Sequence, residues 1–113
     1  MPLQQWDVVK VRINSTDKDE HPAVIISPRE VLADPHIRRI NVLYGTTKRT
    51  ASEATATEDI LNGAEGLERP TLFQCAHIYQ VAPASITSHY GSVGVERRRQ
   101  IGRKIIAAYR LGA

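Results

Sequence analysis

The stretch His21-Pro22-Ala23-Val24-Ile25-Ile26-Ser27 organises the rest of this chain. Its four consecutive apolar residues, bounded by prolines on both sides, are typical of a short strand that is buried on both faces. A proline at the first position of such a strand costs no hydrogen bond of the sheet, and it keeps the preceding residue extended. We therefore expect the ring of His21 at the mouth of a core strand.

Strand patterns also occur before and after this stretch. Apolar residues alternate with others from Trp6 to Ile13 and again from Arg39 to Tyr44, which predicts a first and a third strand. Residues 14–20 are polar throughout and predict an exposed loop between strands one and two. Residues 70–75 and 78–81 predict either two short strands or one bent strand.

The connections between these strands are predicted from turn and capping residues. Ser27-Pro28 predicts a helical turn with Ser27 as its N-cap and Pro28 at its first position. Residues 49–57 contain no large apolar side chain and predict a surface connection. Residues 58–63 end in Asn-Gly and predict a short turn, and residues 87–94 predict a loop.

The last element is an amphipathic helix predicted from Val95 to Leu111 and stopped at Gly112. Its predicted apolar face contains Val95, Ile101, Ile105, Ala108 and Tyr109. Glycine inside a helix costs ~1 kcal/mol relative to alanine, so Gly102 predicts close packing at that position.

Charge is distributed unevenly along the chain. The net charge is +3, yet residues 97–113 contain six basic residues and no acidic one, and the remainder is net acidic. A basic block of this kind contacts phosphate or an acidic protein segment, or keeps a helix soluble, and the sequence leaves these alternatives open.

Length and composition exclude several classes of protein. The 113 residues, 42% of them hydrophobic, predict one globular domain spanning residues 1–113. No apolar run approaches the ~20 residues of a membrane span, and the start lacks the pattern of a secretory signal, so we expect no membrane association and a cytoplasmic location. Cys75 is the single cysteine and lies in an apolar run, which predicts an inert core thiol. The four histidines lack paired ligand spacing, so we expect neither a metal site nor a cofactor.

Short strands with irregular loops and one closing helix predict a mainly β fold, of the α+β type. The expected architecture is a small SH3-like barrel of about five to seven short strands with a C-terminal amphipathic helix.

Four of these segments together resemble the PemK/MazF family, the toxins of bacterial type II toxin-antitoxin systems. They are residues 6–11, 21–27, 41–48 and 74–81, so the resemblance covers nearly the whole chain. It implies the same SH3-like fold, a metal-independent endoribonuclease activity on single-stranded RNA, inhibition by a cognate acidic antitoxin, and a homodimer. Trp6, Leu43 and Tyr44 are the apolar residues that we expect to contribute to such a dimer.

The resemblance also implies site residues. The family commonly has an arginine before the proline of strand two and a threonine at the end of strand three, which correspond to His21 and Thr46 here. A histidine transfers protons near neutral pH but lacks the permanent bidentate grip of arginine on phosphate. His21 and Thr46 are therefore the candidate catalytic residues. The candidate RNA-binding residues are Thr47, Lys48, Arg49, Gln74 and His77.

One departure from the family leaves the function open between two alternatives. Some members have an Arg-x-Asp pattern on the later strand, where this chain has Gln74-Cys75-Ala76. His77, one residue further, compensates for the missing charge only if the strand bends. The alternative to a nuclease is a catalytically inactive SH3-like barrel that binds nucleic acid or a protein, in the manner of the gyrase poison CcdB or of a regulatory module.

Overall fold

The computed structural model of the protein describes residues 2–12 and 20–112. Within them lie seven strands, which are β1 (Asp7–Val11), β2 (His21–Ile25), β3 (Ile40–Thr46), β4 (Glu58–Leu61), β5 (Thr71–Gln74), β6 (Tyr79–Val81) and β7 (Ile86–Ser92). Two α-helices, α1 (Arg29–Leu32) and α2 (Val95–Tyr109), and three short 3-10 turns complete these elements. The predicted mainly β fold with a C-terminal helix is confirmed. Ile13 and the predicted loop at 14–20, apart from residue 20, lie outside the described residues.

The strands form one antiparallel sheet in the order β4-β5-β3-β2-β1-β7, with β6 also paired to β3. The sheet is strongly bent, so that its two ends approach each other: Gly66, which follows β4, lies against the backbone of Tyr90 in β7. No ladder joins β4 to β7 among the described residues, so the predicted small barrel is an open, curled sheet that is not closed by hydrogen bonds between its two ends.

Strand β2 is buried on both faces, as the sequence predicts, and separates two apolar clusters. Val24 pairs with Val8 and belongs to a cluster that also contains Phe73 and Ile101 of α2. Ala23 pairs with Val9 and belongs to the other cluster. Because successive residues of a strand point to opposite faces, this one stretch supplies side chains to both cores.

Residues 70–81 form two strands, and this resolves the alternative left open by the sequence. β5 pairs with Gly45 and Thr46 of β3, whereas β6 pairs with residues 40–42 of the same strand. Both runs therefore lie along β3, with Ala76-His77 between them.

Two segments predicted as a turn and a loop are strands. Residues 58–61 form β4 because their buried acidic groups find cationic partners from distant parts of the chain: Arg49 for Glu58, and Arg97 and Lys104 for Asp59. The predicted loop at 87–94 lies mostly in β7, which pairs with β1 although it is largely polar. Both errors arise because the stabilising partners are remote in sequence.

Several details of the helices also differ from prediction. Pro28, not Ser27, is the N-cap of α1, because the buried hydroxyl of Ser27 instead accepts a hydrogen bond from the Asn41 backbone N–H at 2.8 Å. Helix α2 ends at Tyr109, before a left-handed Arg110. Open space surrounds Gly102, so the predicted close packing there is wrong.

The apolar residues that we assigned to a dimer surface and to the helix face are placed differently. Leu43 is fully buried in the protein's own core, so its predicted contribution to a dimer surface is wrong. Trp6 is half-buried and packs against that same cluster. Ile101 is buried as predicted, but Val95 is 60% exposed.

Candidate active site

Strands β2 and β3 bring the two candidate catalytic residues together. Their antiparallel ladder pairs Val24 with Leu43 and Ala23 with Tyr44. Continued by two residues, the same register places His21 opposite Thr46, where β2 begins and β3 ends. Both side chains are partly exposed, so the pair lies at the surface of the sheet.

A cavity of about 430 Å³ opens over this pair, and we call it the His21 groove. Its lining consists of Lys10, Glu20, His21, Pro22, Gly45, Thr46, Thr47 and Lys48. Four of the seven candidate site residues thus share one cavity. Lys10 lies in β1 and Lys48 follows β3, so each strand beside β2 brings a cation to the cavity that contains His21. This arrangement is suited to a phosphodiester.

The Thr46 side chain is oriented by its own turn. Its Oγ1 accepts a hydrogen bond from the Lys48 backbone N–H at 3.2 Å. Because a hydroxyl both accepts and donates, the O–H of Thr46 can still donate to an anionic oxygen in the groove. Gly45, beside it, has no room for a side chain, since a Cβ there would lie 2.7 Å from Thr71 and 2.8 Å from Phe73.

Lys10 is a site residue that we did not assign from the sequence. It lies opposite Pro22 in the β1–β2 ladder and lines the His21 groove. A hydrogen bond with Tyr90 raises the pKa of Lys10, and the charges of Tyr90, Glu20 and Glu68 add to the effect. Lys10 is therefore cationic at neutral pH. The single cation within the apolar run from Val8 to Val11 was the signal that could have identified it.

A second cavity of about 220 Å³ continues the groove beyond Lys10. It shares Glu20, Pro22 and Thr47 with the first cavity and adds Arg69 and Tyr90, among others. The carboxylate of Glu20 accepts a hydrogen bond from Thr87 and lies 3.7 Å from the Arg12 guanidinium. The Arg12 guanidinium offsets part of the negative charge that Glu20 brings to the groove.

The other three candidate RNA-binding residues lie outside the groove lining. Arg49 pairs with the buried carboxylate of Glu58 and lines a separate cavity of about 250 Å³, which also contains Thr47. The side-chain oxygen of Gln74 accepts a hydrogen bond from the Ala76 backbone N–H at 2.9 Å. His77 is exposed, with its ring centroid 6.4 Å from that of Tyr79.

Part of the basic block in α2 is used within the chain. Arg97 donates to the carbonyl of Ile60, and Lys104 donates to the carbonyl of Glu58 at 2.7 Å. Their charges also lie 3.8 and 3.5 Å from Oδ1 of the buried Asp59. These two cations hold the helix on β4, which leaves the exposed Arg99 and Arg103 on the surface of the helix.

Cys75 is buried, and its thiol is not a nucleophile in this setting. Burial, followed by the charge of Asp59, raises the pKa of Cys75 to about 11. The thiol therefore stays protonated at neutral pH, as the sequence predicts for a core cysteine.

The described residues contain no group of three or more histidine, cysteine, aspartate or glutamate side chains that could hold a metal ion, and no helix long and apolar enough to cross a membrane. A cavity of about 550 Å³ between the N-terminal segment and α1 is lined by none of the candidate site residues.

Comparison by sequence gives no relative: no family model matches the chain, and no curated protein matches it. Comparison by structure gives similar folds. The Mycobacterium tuberculosis toxin MazF-mt6 superposes with a TM-score of 0.75 at 17% identity, over 92% of this chain and 96% of its own. The fold is that of the MazF toxins.

Two further structures extend the likeness. A mycobacterial endoribonuclease solved in complex with its cognate antitoxin matches with a TM-score of 0.74 at 13% identity, covering 96% of this chain and 94% of its own. The MazE-MazF structure from Deinococcus radiodurans matches with a TM-score of 0.73 at 14% identity, covering 99% and 97%. The MazF-like resemblance drawn from the sequence is thus confirmed for the fold.

Proposed function

We propose that this chain is the toxin component of a type II toxin-antitoxin system and cleaves single-stranded RNA without a metal ion. The observation that carries the proposal is the position of His21 opposite Thr46, over one cavity, in a fold shared with a mycobacterial endoribonuclease. Cations at Lys10 and Lys48 line the same cavity and would hold the phosphate.

The proposed reaction uses the 2′-hydroxyl of the substrate as the nucleophile. Neutral His21 accepts the proton of this hydroxyl as its oxygen forms a bond to phosphorus, and Thr46 donates a hydrogen bond to a non-bridging oxygen. The bond to the 5′-oxygen then breaks, and that oxygen takes a proton from solvent. The products are a 2′,3′-cyclic phosphate and a 5′-hydroxyl.

The proposal includes partners. We expect a cytoplasmic homodimer that is inhibited by an acidic antitoxin, in keeping with the antitoxin complexes among the similar structures. Arg99 and Arg103 are the exposed helix cations available to an acidic segment.

A second candidate function is supported by one observation. Gln74 and Ala76 stand where some family members have the two charged residues of an Arg-x-Asp pattern, and neither carries a charge. A protein lacking those charges could bind RNA or a protein partner in the same groove without cleaving RNA.

Cleavage of a labelled single-stranded RNA by the purified protein in EDTA tests the proposal. His21→Ala should lower the rate by ~10²–10⁴-fold, since removing a proton-transfer group typically has that effect. His21→Arg should restore part of it by providing a permanent cation. His89→Ala is the matched control, because His89 is likewise exposed on the sheet but pairs with Asp7 and is absent from the groove. A parent protein that does not cut RNA would favour the binding function.

A further inference from the structure

A row of four aromatic rings crosses the sheet beside the proposed catalytic pair. His21 of β2 lies 6.3 Å from Tyr44 of β3, Tyr44 lies 4.6 Å from Tyr79 of β6, and Tyr79 lies 6.4 Å from His77, all between ring centroids. We call these four residues the aromatic row.

The sheet register explains why the rings form a row. Tyr79 is directly opposite Val42 on the neighbouring strand, and Tyr44 lies two residues along from Val42 on the same face. Tyr44 is in turn opposite Ala23, which shares a face with His21. The row therefore crosses three strands diagonally, from the level of Thr46 at His21 to the level of Val42 at Tyr79, and begins at the catalytic pair.

The row is open to solvent where a ligand could reach it. Tyr79 is 45% exposed, His77 is exposed, and His21 and Tyr44 are partly exposed. The ring planes are inclined to one another by 37–55°. Rings at these distances and angles support one another, and each exposed face remains suitable for stacking on a nucleobase.

We propose that the aromatic row is a base-stacking track for the RNA nucleotides next to the cleaved phosphate, with Tyr79 as its main platform. This inference rests on the proposed function. It adds to it a binding site that extends from His21 beyond the His21 groove and holds bases by their faces. Such a site tolerates different sequences, because every base has a π-face.

The test measures binding separately from cleavage. The probe is a short fluorescein-labelled RNA of mixed sequence that is 2′-O-methylated throughout and therefore lacks the nucleophile. A ribose-phosphate oligomer of the same length without bases is the second probe. Binding is followed by fluorescence anisotropy, and cleavage of the unmodified RNA is measured in parallel.

Tyr79→Leu should weaken binding of the methylated RNA by about 5- to 150-fold. The same variant should bind the oligomer without bases as tightly as the parent does. In the cleavage assay it should raise KM more than it lowers kcat. Tyr79→Phe should stay close to the parent, because it keeps the ring. Val95→Ala is the control, because Val95 is also exposed, at 60%. It lies at the end of α2 away from Tyr79, since the other end contacts this region: the Tyr109 hydroxyl accepts a hydrogen bond from the Ile78 backbone N–H at 3.1 Å.

Each other outcome has a defined meaning. Unchanged RNA affinity in Tyr79→Leu, or an equal loss with both probes, overturns the stacking track while leaving the nuclease proposal standing. A loss of affinity that follows dissociation of a dimer in light scattering overturns it in favour of a subunit interface. If the parent binds RNA through its bases but does not cut it, the nuclease proposal fails and the track stands. A parent that neither binds nor cuts RNA overturns both.

Discussion

Removing the positive charge of Lys104 should destabilise the protein, because this side chain joins α2 to β4. Its Nζ donates to the Glu58 carbonyl at 2.7 Å and lies 3.5 Å from Oδ1 of Asp59. The Asp59 side chain is only 7% exposed, and its Oδ2 has no hydrogen-bond partner among the described residues. The charge of Asp59 therefore depends on its two neighbouring cations.

The size of the effect follows from these contacts. A hydrogen bond from a charged donor contributes ~1.5–3 kcal/mol, and leaving a buried carboxylate with less compensation adds to its loss. The Lys104 side chain is 33% exposed, so solvent screens part of this. We expect Lys104→Met to lower the free energy of unfolding by about 2–3 kcal/mol, which corresponds to a fall in Tm of about 8–12 °C for a domain of this size.

Arg103→Met is the matched control, since Arg103 is the preceding residue of the same helix, is exposed, and loses the same charge. The free energy of unfolding of Arg103→Met should stay within about 0.5 kcal/mol of that of the parent. Thermal unfolding followed by circular dichroism, with urea unfolding at one temperature, measures both variants. Equal melting of the two variants would refute the structural role of Lys104, and a double variant with Asp59→Asn should lose less than the sum of the single losses.

The remaining predictions concern a buried acid, a glycine and the assembly. Burial alone would raise the pKa of Glu58, but hydrogen bonds from Thr55 and Arg49 outweigh it and hold the pKa below its ordinary value of 4.5. The charged Glu58 therefore stabilises the fold fully above about pH 5, and this contribution is lost as the pH falls through and below that value. Arg49→Gln should flatten this part of the plot of unfolding free energy against pH. Parallel plots for parent and variant would contradict the pairing. Gly66→Ala should lower the free energy of unfolding in urea by about 2–4 kcal/mol, because φ is +89° and the new Cβ would lie 2.3 Å from the Tyr90 carbonyl oxygen. Gly63→Ala is the control and should cost far less, because a Cβ there would have nothing within 4 Å. Light scattering at micromolar concentration should give the mass of a dimer, and a monomeric mass would count against the proposed assembly.

The sequence by itself determined the elements whose signals are local. Alternation of apolar residues identified β1 and β3, and the helical period identified α2. A short apolar run after a proline was enough to predict the buried strand β2, because burial on both faces requires apolar residues at every position. The candidate catalytic pair came from the resemblance to the PemK/MazF family, which points to the start of β2 and the end of β3.

Only the tertiary structure decided the elements that depend on remote partners. Glu58 and Asp59 could form part of a buried strand because Arg49 and Lys104 lie beside them in space, although the sequence separates them by many residues. The largely polar residues of β7 form a strand because they pair with β1. The sheet is not a closed barrel, because its two ends approach each other at Gly66 without forming a hydrogen-bonded ladder. The register likewise decided that His21, Tyr44 and Tyr79 share one face, since pairing between strands is fixed by long-range contacts and not by the order of residues along each strand.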